Sequence, residues 1–128
     1  MKSAITIITF LFVATSLYAK GLQWESIAME YQAKTTDSEH TFVFPFTNIS
    51  DKSITIVGVR SSCGCTTPTL SKTVFPPQAS GNIQAKFDFG KRMGKHKKSV
   101  YVKTDQSTTQ IKLTTTTYIP IPIIVSPK

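Results

Sequence analysis

Asn82-Ile83-Gln84-Ala85-Lys86-Phe87-Asp88-Phe89 decides the fold. Apolar residues stand at 83, 85, 87 and 89, with polar ones between them. An extended chain turns successive side chains to opposite faces, so this stretch is a strand with one buried and one wet face. A helix would need apolar positions three and four apart. The same alternation recurs to either side. His40, Phe42, Phe44 and Phe46 alternate with Thr41, Val43 and Pro45, and Val100 and Val102 with Tyr101 and Lys103. Ile111, Leu113, Thr115 and Thr117 alternate with Lys112, Thr114 and Thr116. Ile54 and Ile56 open a short strand that reaches Val59, and Trp24, Ile27, Met29 and Tyr31 lie on a first strand with an irregularity. Pro45 predicts an edge or a bulge in its run, because proline has no N–H for a ladder.

Turn-forming residues separate these runs. They are Asn48 to Ser53, Pro76-Pro77 ahead of Gly81, Gly90 and Gly94 around a basic stretch, and a hairpin connection from Thr104 to Ser107. Six or seven short strands at this spacing predict an all-β fold, an immunoglobulin-like antiparallel β-sandwich of about seven strands. The composition agrees. The chain has 128 residues, the length of one domain, and 40% of them are hydrophobic, enough to fill a core. Only 17% are charged, so Thr and Ser supply much of the polar surface, and Thr favours strands.

The first residues read as an address. Lys2 precedes an apolar run from Ile5 to Val13, and small residues follow up to Ala19. This pattern predicts a signal peptide over residues 1–19, cleaved after Ala19, and a single domain over 20–128. The apolar run falls short of the roughly 20 residues of a membrane-spanning helix, and no later stretch could supply one. The expectation is a periplasmic or secreted protein in an oxidising compartment, with no membrane span in the mature chain. The tail Ile119-Pro120-Ile121-Pro122-Ile123 is extended and apolar; it either completes the sandwich edge or packs on a partner.

Several motifs follow one another in order. Phe44-Pro45-Phe46-Thr47-Asn48 has the form F-x-F-x-N, Ile54 to Val59 the form l-x-I-x-x-V, and Ser62-Cys63-Gly64-Cys65-Thr66 the form S-C-G-C-T. Ile83 to Phe89 and Val100 to Thr104 supply the later strands. Together they resemble the bacterial domain-of-unknown-function family numbered 1573. One turn departs from that family's P-G pattern: Pro76-Pro77-Gln78-Ala79-Ser80-Gly81 has no glycine directly after proline. The resemblance implies an exported immunoglobulin-like domain of the hydin and major-sperm-protein type. It implies no established activity.

Cys63 and Cys65 are the one chemically unusual pair, and three readings of them stand open. They are structural, either buried or joined in a disulfide spanning one residue. They are soft ligands for copper or zinc, completed by His40, His96, Met29, Met93 or a second molecule. Or they exchange thiols, without the C-x-x-C spacing or helix start that lowers a thiol pKa. At spacing i, i+2 on an extended segment both sulfurs would share a face.

Lys91, Arg92, Lys95, Lys97 and Lys98 are the densest charge cluster, placed by the pattern in an exposed hairpin loop. The loop either keeps sheet edges apart or contacts an anionic partner. The net charge is +8, and a leader carrying Lys2 and no acid would take one unit from it. Five of these charges sit in one loop without interleaved aromatics, which argues against nucleic acid. No phosphate-binding glycine loop or G-x-S-x-G elbow is present, and the acids are scattered. Asp37 and Glu39 belong to a turn, and Ser61 and Ser62 are turn donors. The sequence therefore predicts a non-enzymatic binding or scaffold module with no required cofactor. Its partner is an unidentified protein or envelope component, met at a strand edge or at the loop ends.

Overall fold

Residues 21–117, the part of the chain that the structure, a computed structural model, describes, form nine strands. They are β1 (Leu22–Trp24), β2 (Ala28–Ala33), β3 (Glu39–Asn48), β4 (Ile54–Ser61), β5 (Thr66–Thr69), β6 (Val74–Phe75), β7 (Ser80–Asp88), β8 (Gly94–Thr104) and β9 (Thr108–Thr117). Four make one sheet in the order β1-β3-β7-β5, and five make the other in the order β2-β9-β8-β4-β6. The predicted leader 1–19 and the tail Ile119–Ile123 lie outside the described residues. Among the described residues no helix is long and apolar enough to cross a membrane.

The alternation builds the core directly. Phe42, Phe44 and Phe46 of β3 and Ile83, Ala85 and Phe87 of β7 face Val100 and Val102 of β8 and Ile111 and Leu113 of β9, all buried. Burying each phenylalanine contributes about 2–3 kcal/mol relative to exposure. Thr115 and Thr117 continue the inward row of β9 and are buried with it.

The sandwich is as expected; its details differ in three places. The irregular first strand is two strands in different sheets. β1 pairs with β3 antiparallel, whereas β2 runs parallel to β9, so the second sheet is mixed and not wholly antiparallel. Ile27, in the switch between them, is exposed. Second, β5 and β6 raise the strand count. Thr66-Thr67-Pro68-Thr69 has no apolar alternation, and β6 is only two residues long. Third, Pro45 lies inside β3 but at the point where β1 leaves the sheet. Its carbonyl accepts the Glu25 N–H at 3.1 Å, so the missing proline donor falls on the open side of β3.

Candidate functional site

The connection from β4 to β5 crosses from the five-stranded sheet to the four-stranded one, and it carries the two cysteines. The stretch is a turn, not an extended segment, which corrects the expected geometry. Its Cα atoms at 63 and 65 are 5.3 Å apart, and the two sulfurs form a disulfide across Gly64. Both ends of the turn are tied down. Ser62 N–H donates to the Ser99 carbonyl at 2.8 Å, and Ser99 N–H to Ser62 Oγ at 3.0 Å. On the other sheet, Asp88 N–H donates to the Cys65 carbonyl at 2.9 Å. Within the turn, Ser61 Oγ donates to the Cys63 carbonyl at 2.7 Å and Thr66 N–H to the same oxygen at 3.2 Å. Cys65 is buried and Cys63 half-buried. Of the three readings this arrangement fits the structural one: a short brace where the chain changes sheets.

Three of the four supplementary metal ligands are otherwise engaged. The His40 ring stacks on Tyr31 with centroids 3.5 Å apart, and His96 Nε2 lies 2.9 Å from the Met93 carbonyl. Met29 packs against the core, and Met93 is exposed. Among the described residues no group of three or more His, Cys, Asp or Glu is placed to hold a metal ion. A metal at Cys63 and Cys65 would first require their reduction.

Near His40, Tyr31 Oη donates to Asp37 Oδ2 at 2.9 Å, and Lys34 N–H donates to the same oxygen at 2.9 Å. These donors, the Lys34 backbone foremost, hold the Asp37 carboxyl below its ordinary range. The Asp37 hydrogen bond raises the Tyr31 phenol. Burial pushes the His40 imidazole down, against a smaller opposing pull from Asp37. This is a packed corner of the sandwich with a satisfied acid, not a carboxylate pair.

The basic cluster does not form one hairpin loop. The chain crosses between sheets through Gly90 to Met93, with Arg92 N–H donating to the Phe89 carbonyl at 2.7 Å, and β8 already begins at Gly94. Lys91 and Arg92 are in the turn; Lys95, Lys97 and Lys98 are on the strand. Lys95 and Lys97 point outward, while Lys98 shares the inward row with Val100 and is half-buried. The five charges therefore point in different directions.

A further feature is hidden from the sequence. β4 pairs with β8 along its length, but on its other side β6 covers only Ile54 and Thr55, and Thr73 accepts the Ile56 N–H at 2.8 Å. From Val57 to Ser61 no described strand pairs with that side. The Ser62-to-Ser99 bond sets the phase: Arg60 turns its backbone groups to β8, and Val59 and Ser61 turn theirs to the open side. The register slips between Ile56 and Gly58, which leaves Val57 as a bulge 57% exposed. Val74, opposite Thr55 on β6, is 49% exposed, and half-buried Val59, Cys63 and Leu70 pack against the core. Gly58 within a predicted strand is the one sequence signal of a bulge.

Comparison with known proteins agrees with this architecture. The family described as "Protein of unknown function (DUF1573)" matches residues 22–119, well over half of the chain. No curated protein matches the chain by sequence. A protein of unknown function from Porphyromonas gingivalis W83 is similar in structure, with a TM-score of 0.66 at 10% identity over 82% of this chain and 51% of that one. The chain thus spans about half of that relative's length. The human CEP192 ASH/PapD-like domain 7 superposes with a TM-score of 0.62 at 6% identity, over 93% of this chain and 100% of that one. The E. coli chaperone DraB superposes with a TM-score of 0.55 at 15% identity, over 77% of this chain and 56% of that one. At these identities the likeness shows the fold, an immunoglobulin-like sandwich of the PapD type.

Proposed function

We propose that this chain, which belongs to the DUF1573 family of proteins of unknown function, is a non-enzymatic module that binds an extended protein segment. The observation that carries this reading is the unpaired side of β4 from Val57 to Ser61. Strand addition needs a free row of N–H and C=O groups for affinity and pockets at alternate positions for specificity. Val59 and Ser61 supply the backbone groups; exposed Val57 supplies an apolar contact. Similarity to a chaperone, DraB, supports a protein as the partner class. The leader-like residues 1–19 support export, so the partner is a protein of the envelope or exterior.

The test is titration with strand-forming peptides that alternate apolar and polar residues, read by amide exchange. Binding should protect the Val59 and Ser61 amides, and Val59→Pro should abolish it. That substitution removes an N–H facing away from β8 and so leaves the β4–β8 ladder intact. Protection confined to other strands, or undiminished binding by folded Val59→Pro, would exclude this edge.

A further inference from the structure

The outer face of the five-stranded sheet is strongly basic. Inward-facing Val100 and Val102 fix the phase of β8, so Lys95, Lys97, Tyr101 and Lys103 point away from the core. Register places Arg60 of β4 beside Tyr101, Gly58 beside Lys103, and Lys112 of β9 beside Ser99. Five cations thus share one flat face. The acids near it are Glu30, on the edge strand β2, and Asp105, in the turn at one end, whose carboxylate accepts the Thr55 N–H at 3.3 Å. None of the five cations is paired: the one ion pair among the described residues joins Lys86 and Glu39 at 3.5 Å on the other sheet.

Within this face lies a depression of about 450 Å³ lined by Gly58, Val59, Arg60, Tyr101, Lys103 and Thr108. Gly58 opens it, since a Cβ there would meet nothing within 4 Å. The Arg60 guanidinium lies over the Tyr101 ring, 5.3 Å from its centre. Gln110 Nε2 donates to Ser99 Oγ at 2.9 Å and lies 3.5 Å from Tyr101 Oη. Hydroxyl and amide groups fill the space between the cations.

We propose that this face binds an acidic polysaccharide, with carboxylates on Arg60 and Lys103 and a sugar ring seated over Gly58. Charge complementarity calls for an anion, and the intervening chemistry selects its class. A bilayer or an acidic amphipathic helix needs a broad apolar face to bury against, and the outward residues of β8 and β9 are Lys, Ser, Thr, Gln and Tyr. Bases of a single-stranded nucleic acid need open aromatic platforms, and Tyr101 already carries Arg60 on its ring. A polyuronate offers repeated carboxylates and a dense array of hydroxyls, matching Arg60 and Lys103 on neighbouring strands, Lys95 and Lys97 about 6.8 Å apart further along β8, and the Ser99 and Tyr101 hydroxyls between the two groups.

The experiment is affinity electrophoresis and calorimetric titration of the purified protein with polygalacturonate. Polygalacturonate, but not neutral dextran, should retard the protein, and about 0.5 M salt should weaken the effect by screening. Gly58→Leu, which fills the depression, and Arg60→Ala/Lys103→Ala should each weaken binding at least about tenfold, and Lys86→Ala on the opposite sheet should not. Thermal melts check that each variant is folded, and Lys103→Ala alone stands in for any that is not. Absence of binding, unchanged binding in a folded depression variant, or equal loss in Lys86→Ala would overturn the proposal. So would equal affinity for polyglutamate, single-stranded DNA or phosphatidylglycerol vesicles.

Discussion

Asn48 shows how one side chain can organise an end of the sandwich. It is fully buried, and each of its polar atoms is used. Nδ2 donates to the Lys52 and Phe75 carbonyls, both at 2.8 Å, while Oδ1 accepts from Ser50 N–H at 2.9 Å and Ser50 Oγ at 2.7 Å. The sequence puts Asn48 at the start of a polar turn, whereas it is the last residue of β3, and nothing local says that the turn after it folds under β6. Asn48→Ala should therefore cost about 2–3 kcal/mol in denaturant unfolding, because it leaves the buried Phe75 carbonyl and the partly buried Ser50 N–H without partners. Gln78 is a milder case. It adopts φ 68°, and Ala79 N–H donates to the Pro76 carbonyl at 3.0 Å, the pattern of a turn that favours glycine after proline. The departure from the family's P-G turn is thus visible as strain, and Gln78→Gly should raise stability by up to about 1 kcal/mol in the same assay.

Among the elements, legibility follows burial. Ile83 to Phe89 and Phe42 to Phe46 alternate because one face is packed, so the sequence reveals them. β5 and β6 are short and lack alternation; their place comes from pairing with β7 and β4, which no local pattern encodes. The basic stretch misleads for a related reason. Lys95 to Lys98 read as loop by charge, but pairing with Leu113 to Thr116 of β9 makes them strand. The cysteine corner is legible as a motif and not as a role, since that role depends on Ser62 reaching β8 and Cys65 reaching β7. A brace closing so short a loop restricts the unfolded chain little, and Cys63→Ser/Cys65→Ser should lose about 1–2 kcal/mol of stability. Reduction of the wild type should give the same loss, measured by the shift of the denaturant midpoint.

For the whole molecule, acid is the condition that should weaken the fold first. His40 is held neutral by burial, with a folded pKa below the ordinary 6.5. Its contribution to stability is complete above about 6.5 and is lost as pH falls from there through the folded value. Asp37 lies below its ordinary 3.8, so its contribution is present above that value and disappears only as pH drops further. Melting temperature should be level near neutrality, decline just below about pH 6.5, and decline again below about 4. His40→Phe, which keeps a ring against Tyr31, should erase the first decline and leave the second.

The proposed function stands or falls with the free edge that β4 offers to a protein segment. Residue-by-residue amide exchange along that strand is the decisive measurement. In the free protein the Val59 and Ser61 amides should exchange fast, while those of Arg60 and Ser62, bonded to β8, should exchange slowly. Adding an alternating strand-forming peptide should slow Val59 and Ser61 alone. Uniform protection of residues 59–62 in the free protein, or no change at Val59 and Ser61 with peptide bound, would contradict it.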